Sequence, residues 1–230
     1  GGQVMKNVAG YDVSRLMAGS MGTLGLITEV SLKVLPRPVA EATLRLETDQ
    51  AGALHQLNQW AARPLPINAS CWLRQDGRGV LWLRLRGADA AVRAACQELG
   101  GDAVDRPVAN AFWESLREQQ TAFFTGPEDA CLWRLSVPDT VATLPLAADD
   151  ALLEWGGALR WIWAPATQGP ALRAAAGRVG GSATLFRAGP RATVARFHPL
   201  DEAIKQIHLR LKQEFDPHRI LNPGRMYDWL

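Results

Sequence analysis

The sequence predicts an α+β fold, in which an antiparallel sheet with helices on one face is built from two split-βαβ (ferredoxin-like) units and a C-terminal helix follows. Three observations predict it. The order strand, helix, strand, strand, helix occurs twice between residues 42 and 187. A glycine pair stops the last helix of each unit, Gly100-Gly101 in the first and Gly180-Gly181 in the second. Leu200, Ile204, Ile207 and Leu211 recur every three to four residues and form one apolar stripe.

The elements follow in order. Asn7, Gly10 and Asp12 favour turns. Gly19, Gly22 and Gly25 come at spacing three and lead into residues 26–35, where Leu26, Thr28, Val30, Leu32 and Val34 alternate with Glu29, Ser31 and Lys33. That alternation predicts a strand, ended by Pro36 and Pro38, and the Pro-Arg-Pro segment is the expected domain boundary. The first unit has a strand at 42–48, a helix from Asp49, a strand at 69–75, a turn at Asp76-Gly77-Arg78-Gly79, a strand at 80–86 and a helix over 88–99. An amphipathic helix is expected over 108–119. The second unit has a strand at 131–137, a helix capped by Asp139 and a hairpin around Gly156-Gly157 with Leu159, Trp161 and Trp163 on one face. A helix at 170–178 and a strand at 183–187 complete it. In the last helix, Asp201 and Glu202 at the start and Arg210 and Lys212 near the end suit the helix dipole, and Asp216-Pro217 stops it. Asn222-Pro223-Gly224 then makes a tight turn.

Composition narrows the classes. With 47% hydrophobic and 21% charged residues, the 230-residue chain is ordinary for a globular protein. A net charge of +2, without a basic block, excludes a phosphate-tracking nucleic-acid surface. The apolar runs are too short to span a bilayer, for which about 20 residues are needed. Cys71, Cys96 and Cys131 have no close pairing, which argues against a disulfide framework and fits a reducing compartment. The chain opens at Gly1-Gly2-Gln3, which reads as the interior of a domain, so a preceding portion is expected.

Two segments carry chemistry. Residues 19–28, Gly-Ser-Met-Gly-Thr-Leu-Gly-Leu-Ile-Thr, leave backbone N–H groups free at a strand entrance, where they suit a polar or anionic cofactor edge. A glycine-rich turn without a ligand accounts for the same spacing. The segment is not the dinucleotide fingerprint, in which the strand precedes the glycines. The tail Asp216-Pro217-His218-Arg219-Ile220-Leu221-Asn222-Pro223-Gly224-Arg225 reads either as a site or as a stiff tail folded back on the protein. The tryptophans fit core or interface packing. Arg84, Arg86 and Arg160 fit outward strand faces, with an oxyanion-binding role as the unsupported alternative, and Asp149-Asp150 fits a solvated turn rather than a paired carboxylate site.

Together, the run Val4-Met5-Lys6-Asn7-Val8-Ala9-Gly10-Tyr11-Asp12 through Thr28 and the tail Phe215-Asp216-Pro217 … Ile220-Leu221-Asn222-Pro223-Gly224-Arg225 resemble the FAD-linked oxidases of the vanillyl-alcohol oxidase (PCMH) type. Their wording is most like the FAD-binding subunits of bacterial glycolate oxidases. The resemblance implies the end of a PCMH-type FAD-binding domain at 1–38, a cap domain at 39–197, and a helix and tail at 198–230 that pack back on the FAD domain. It implies FAD as cofactor, bound at Gly19, Ser20, Gly22, Thr23, Leu24, Gly25, Leu26 and Ile27, largely through backbone groups. Asn222 and Arg225 return near the flavin ring, where Arg225 supplies positive charge, and Lys6, Asn7, Gly10, Tyr11 and Asp12 stand close to the cofactor.

The implied function is the FAD-binding subunit of a complex that oxidises glycolate, or a similar 2-hydroxy acid, to glyoxylate. The alternative is a non-catalytic, flavin-carrying or structural partner of a separate catalytic subunit. The implied partners are a second flavoprotein subunit and an iron–sulfur subunit. The implied location is cytoplasmic, with peripheral attachment at the inner membrane through those partners as the variant. No catalytic residue is assigned. The loop that cradles the FAD pyrophosphate lies upstream in the family, and this sequence does not contain it. His55, His198, His208 and His218 are too dispersed for the cap histidine pair of metal-using relatives, so no metal is expected.

Overall fold

The computed structural model describes residues 12–146, 151–189 and 194–230. Asp149-Asp150 and the leading residues Lys6, Asn7, Gly10 and Tyr11 lie outside the described residues. The chain divides into two compact units, Arg37–Val194 and the pair Gly1–Pro36 with Ala195–Leu230. No helix among the described residues is long and apolar enough to cross a membrane.

The larger unit, here the sheet unit, contains strands β1 (Ala40–Glu47), β2 (Ile67–Gln75), β3 (Arg78–Gly87), β4 (Asp102–Ala103), β5 (Cys131–Ser136), β6 (Ala151–Glu154), β7 (Leu159–Ala164) and β8 (Ser182–Arg187). They form one antiparallel sheet in the order β4-β1-β3-β2-β6-β7-β5-β8. Each half has the order of a split-βαβ unit, with its first strand between its last and its third. The halves meet edge to edge where Cys71 and Trp72 pair with Glu154 and Leu153. Joining two edges hides strand groups that would otherwise template aggregation.

The unit's described α-helices are α2 (Gln50–Ala61), α3 (Asp89–Leu99), α4 (Arg106–Arg117) and α5 (Gly169–Arg178), and α1 (Val13–Met17) belongs to the other unit. Asp49 caps α2 by accepting from the Gly52 N–H at 2.7 Å. Gly100 ends α3 at φ +67°, a conformation that costs glycine nothing. One sheet face presents Leu81, Leu83, Leu85, Trp133, Leu135 and Leu153 to a core that includes Leu54, Val92 and Leu172 of α2, α3 and α5. The opposite face is covered too. Ala109, Phe112, Trp113 and Leu116 of α4 pack against Trp82 and Cys71, with the Trp82 and Phe112 rings stacked at 3.8 Å. Helices therefore lie on both faces rather than one. The cause is the period of α4, whose apolar residues repeat every three to four positions and need a partner surface of their own.

Two expectations fail here. Among the described residues no helix follows Asp139: residues 141–144 are irregular, and Pro145 disfavours helical geometry in the residue before it. The main chain is held instead by Arg160, which is buried and not on an outward face. Its guanidinium donates to the Gly157 and Ala142 carbonyls at 2.9 and 2.8 Å, and also to the Val141 carbonyl. Burial pushes its pKa down to about 10.

The smaller unit, here the loop–tail unit, contains α1 (Val13–Met17), the glycine loop, α6 (Glu202–Phe215) and the C-terminal tail. Asp12 caps α1, accepting from the Arg15 N–H at 3.0 Å. The strand expected at 26–35 does not form. Residues 26–39 are exposed on both faces and pair with no strand among the described residues. Alternation marks which side chains would share a face, but a strand also needs a neighbour for its N–H and C=O groups.

Candidate functional site

The loop–tail unit brings the two motif segments together. Gly19, Met21 and Gly22 have φ of +83°, +52° and +74°, so the loop coils left-handed for almost a full turn. The Ser20 N–H donates to the Met17 carbonyl, and the Thr23 N–H and hydroxyl both donate to the Ser20 carbonyl, at 3.0 and 2.8 Å. Thr23 is thus spent on the loop itself. Among the described residues, the N–H groups of Gly22, Leu24, Gly25, Leu26 and Ile27 take no partner. Leu24 is buried, Leu26 and Ile27 are exposed, and Gly25 lies against Met17.

The tail reaches this loop directly. Asn222 Nδ2 donates to the Met21 carbonyl at 2.8 Å. A methyl group placed on Gly22 would sit 2.7 Å from that nitrogen, so the contact needs glycine there. Asn222 itself sits at φ +42°, and its carbonyl accepts from the Arg225 N–H at 3.2 Å, closing the expected turn. Arg225 is exposed.

A buried ion pair beneath these contacts escaped the sequence reading. Lys212, placed by its position near the helix C-terminus as a dipole partner, is fully buried. Its ammonium donates to Asp216 Oδ2 at 2.7 Å, to the Thr23 carbonyl at 2.8 Å and to the Leu221 carbonyl at 2.7 Å. All three of its protons are used. Asp216 accepts in addition from the Ile220 and Leu221 N–H groups, at 3.0 and 2.8 Å. Burial by itself would raise the Asp216 carboxyl, but the bonds from Lys212, Leu221 and Ile220 and the Lys212 charge outweigh it and hold the pKa at about 2. One lysine thus ties helix, glycine loop and tail. The signal available in the sequence was the spacing Lys212-x-x-x-Asp216, which sets the aspartate at the helix C-cap about one turn on from the lysine. The expected apolar stripe packs less than its pattern implies, since Ile204 and Ile207 remain exposed.

Past the turn, Tyr227 stacks on Trp229 at 4.9 Å, Lys205 lies 5.5 Å from the Trp229 ring, and the Tyr227 hydroxyl donates to the His198 carbonyl. His208 meets the edge of Tyr227, His55 lies beside Gln59, and His218 is exposed.

Comparison with known proteins places the chain. No family profile matches it. It is 45% identical over 227 residues to glycolate oxidase subunit GlcE of Escherichia coli K12, a match covering 99% of this chain and 60% of that protein. It is 28% identical to an uncharacterized FAD-linked oxidoreductase of Mycobacterium tuberculosis, again over 99% of this chain and 61% of the relative. A segment of 44 residues is 52% identical to glycolate oxidase subunit GlcD of Bacillus subtilis, covering 19% of this chain and 9% of that protein. The chain thus spans about three fifths of the length of the relatives it matches throughout. The chain is thus similar along nearly its whole length, across both sheet halves and both motif segments, to a glycolate oxidase subunit, and more distantly to an FAD-linked oxidoreductase.

Proposed function

We propose that the chain is part of a FAD-binding subunit of a glycolate oxidase complex, which oxidises glycolate or a similar 2-hydroxy acid to the 2-oxo acid. The observation that carries this reading is the 45% identity to GlcE over 99% of the chain. The loop geometry supports it. Gly22, Leu24, Gly25, Leu26 and Ile27 offer N–H donors in sequence, and the Lys212–Asp216 pair and Asn222 hold that stretch in place. Such donors suit the polar edge of a nucleotide cofactor. In this reading Gly19, Ser20 and Thr23 shape the loop, while Arg225 supplies positive charge to the flavin side. Bound FAD would accept the hydride from the α-carbon of the hydroxy acid, and the protein would bind and orient it. The partners are a second flavoprotein subunit and an iron–sulfur subunit, and the complex is cytoplasmic or peripheral at the inner membrane.

The test is the visible spectrum of the purified full-length subunit. A flavin band is expected, and a colourless, folded protein would end the FAD assignment. Adding glycolate anaerobically without partner subunits then separates two versions of the reading. Bleaching of the band assigns the oxidation to this subunit. A band that persists assigns it the flavin-carrying role beside a separate catalytic subunit.

A further inference from the structure

We propose a binding site for an organic carboxylate in the sheet unit, in the cleft bordered by β2, β3 and α4, with Arg84 receiving the carboxylate. The cleft has a volume of about 930 Å³, within the roughly 300–1,000 Å³ of small-molecule sites. Four arginines line it, and three of them are neutralised locally. Arg86 pairs with Glu41 at 2.6 Å, Arg117 with Glu118 at 2.7 Å, and Arg63 with Glu98.

Arg84 differs from these three. Its Nε donates to Asn68 Oδ1 at 2.9 Å, and its guanidinium lies 5.0 Å from the centre of the Trp113 ring. Trp113 is fixed in turn by its Nε1 bond to Thr43 Oγ1 at 3.0 Å. Both partners of Arg84 are neutral, and its terminal amino groups take no partner among the described residues. Burial lowers its pKa, and the charge of Arg86 lowers it further, against a smaller opposing effect of Glu41. A positive charge is therefore held in a partly desolvated place, its planar fork pre-oriented by an amide and an indole. That arrangement suits a carboxylate, which a guanidinium binds through two parallel hydrogen bonds.

The rest of the lining selects the ligand. Leu57, Trp60, Leu65, Ile67 and Leu116 give the cleft apolar walls, which favour a carboxylate with an apolar or aromatic body. A phosphate dianion would need a second unpaired cation, and Arg86, Arg117 and Arg63 are already engaged. Glu154 also lines the cleft, but it accepts from Trp161 Nε1 at 2.7 Å, and burial raises its pKa, which lessens its repulsion of an anion. The site lies within the sheet unit and does not depend on the flavin assignment.

The test titrates phenylacetate, glycolate and inorganic phosphate into the intact chain, read by calorimetry and tryptophan fluorescence. Phenylacetate is expected to bind saturably, at least about tenfold tighter than glycolate or phosphate. Arg84→Ala should weaken it at least about tenfold. Arg84→Lys, which keeps the charge and loses the fork, should weaken it several-fold, and Arg45→Ala, outside the cleft, should leave it unchanged. Near-UV circular dichroism of each variant checks its fold, and wild type and Arg84→Lys carry the test if Arg84→Ala is misfolded. The proposal is overturned if wild type does not bind phenylacetate saturably, if phosphate binds tighter, or if a folded Arg84 variant keeps wild-type affinity.

Discussion

The two units each bury a cation, and they use it differently. In the sheet unit Arg160, opposite Leu135 and Leu153 on the neighbouring strands, is one of the few polar side chains fully inside, and it fills three loop carbonyls. In the loop–tail unit Lys212 is the largest fully buried side chain among the described residues, and it holds a carboxylate as well as two carbonyls. The first unit is held by two apolar cores with a polar pin in one loop, whereas in the second the pin is the core. Apolar burial is non-directional and tolerates exchange of similar volumes, while a satisfied buried ion pair depends on every partner. The second unit should therefore fail steeply on single polar substitutions, and the first on loss of apolar volume.

Lys212→Met should have the largest effect, because it leaves Asp216 buried without its counter-charge. Removing one partner of a buried pair costs about 3–5 kcal/mol. The expected outcome is early melting and proteolysis of the loop–tail unit, with the strand signal of the sheet unit retained. Peptide mapping during limited proteolysis would show it. Uniform loss of both units would break the contrast. Arg160→Met should cost about 3 kcal/mol, since three carbonyls lose their donor at roughly 1 kcal/mol or more each. Its effect should appear as increased amide exchange around residues 141–146 and 157, with the glycine loop unchanged.

The Asp216 carboxyl adds a pH dependence to the comparison. Its folded pKa is lowered to about 2 from a reference value of 3.8. A lowered carboxylate contributes stability that is complete above the unfolded pKa and drains as pH falls through the folded one. The loop–tail unit should thus lose stability between about pH 4 and pH 2. Asp216→Asn should flatten that part of the profile while lowering stability at neutral pH. An equally steep acid loss in the asparagine variant would exclude Asp216 as the source.

How far the sequence predicts each unit follows from the same contrast. Strand alternation, Asp49 as a cap and the stop at Gly100-Gly101 placed most of the sheet unit, because its cores are apolar and periodicity reports apolar faces. The exceptions were local. Pro145 and the donors of Arg160 replaced the helix expected after Asp139, and α4 took the sheet face expected to be free of helices. In the loop–tail unit the turn at Asn222 was legible from its residue types, and so was the pairing of the two motifs as a family signature. The Lys212–Asp216 pair was not, because a lysine at a helix end is ordinarily solvated and nothing in a pattern of charges shows that three acceptors converge on it. The stretch 26–35 shows the converse, an ideal alternating pattern that remains unpaired among the described residues.

The smallest effect resolves the contact that most directly joins the two motifs. Gly22→Ala places a methyl group 2.7 Å from Asn222 Nδ2 and holds an L-residue at φ +74°. The left-handed backbone alone costs about 1–2 kcal/mol, and the clash adds to it. Asn222→Ala removes the bond to the Met21 carbonyl, for about 1 kcal/mol. If the two act through one contact, the double variant should lose less than the sum, because without Nδ2 the methyl group meets only space. The backbone cost remains, so the double variant should still be less stable than Asn222→Ala alone by about 1 kcal/mol or slightly more. A thermal double-mutant cycle reads this directly. Strict additivity would mean that Gly22 is required for its φ alone and that the approach of Asn222 contributes nothing. A coupling of about 0.5 kcal/mol or more would show that loop and tail are fitted to one another at this contact.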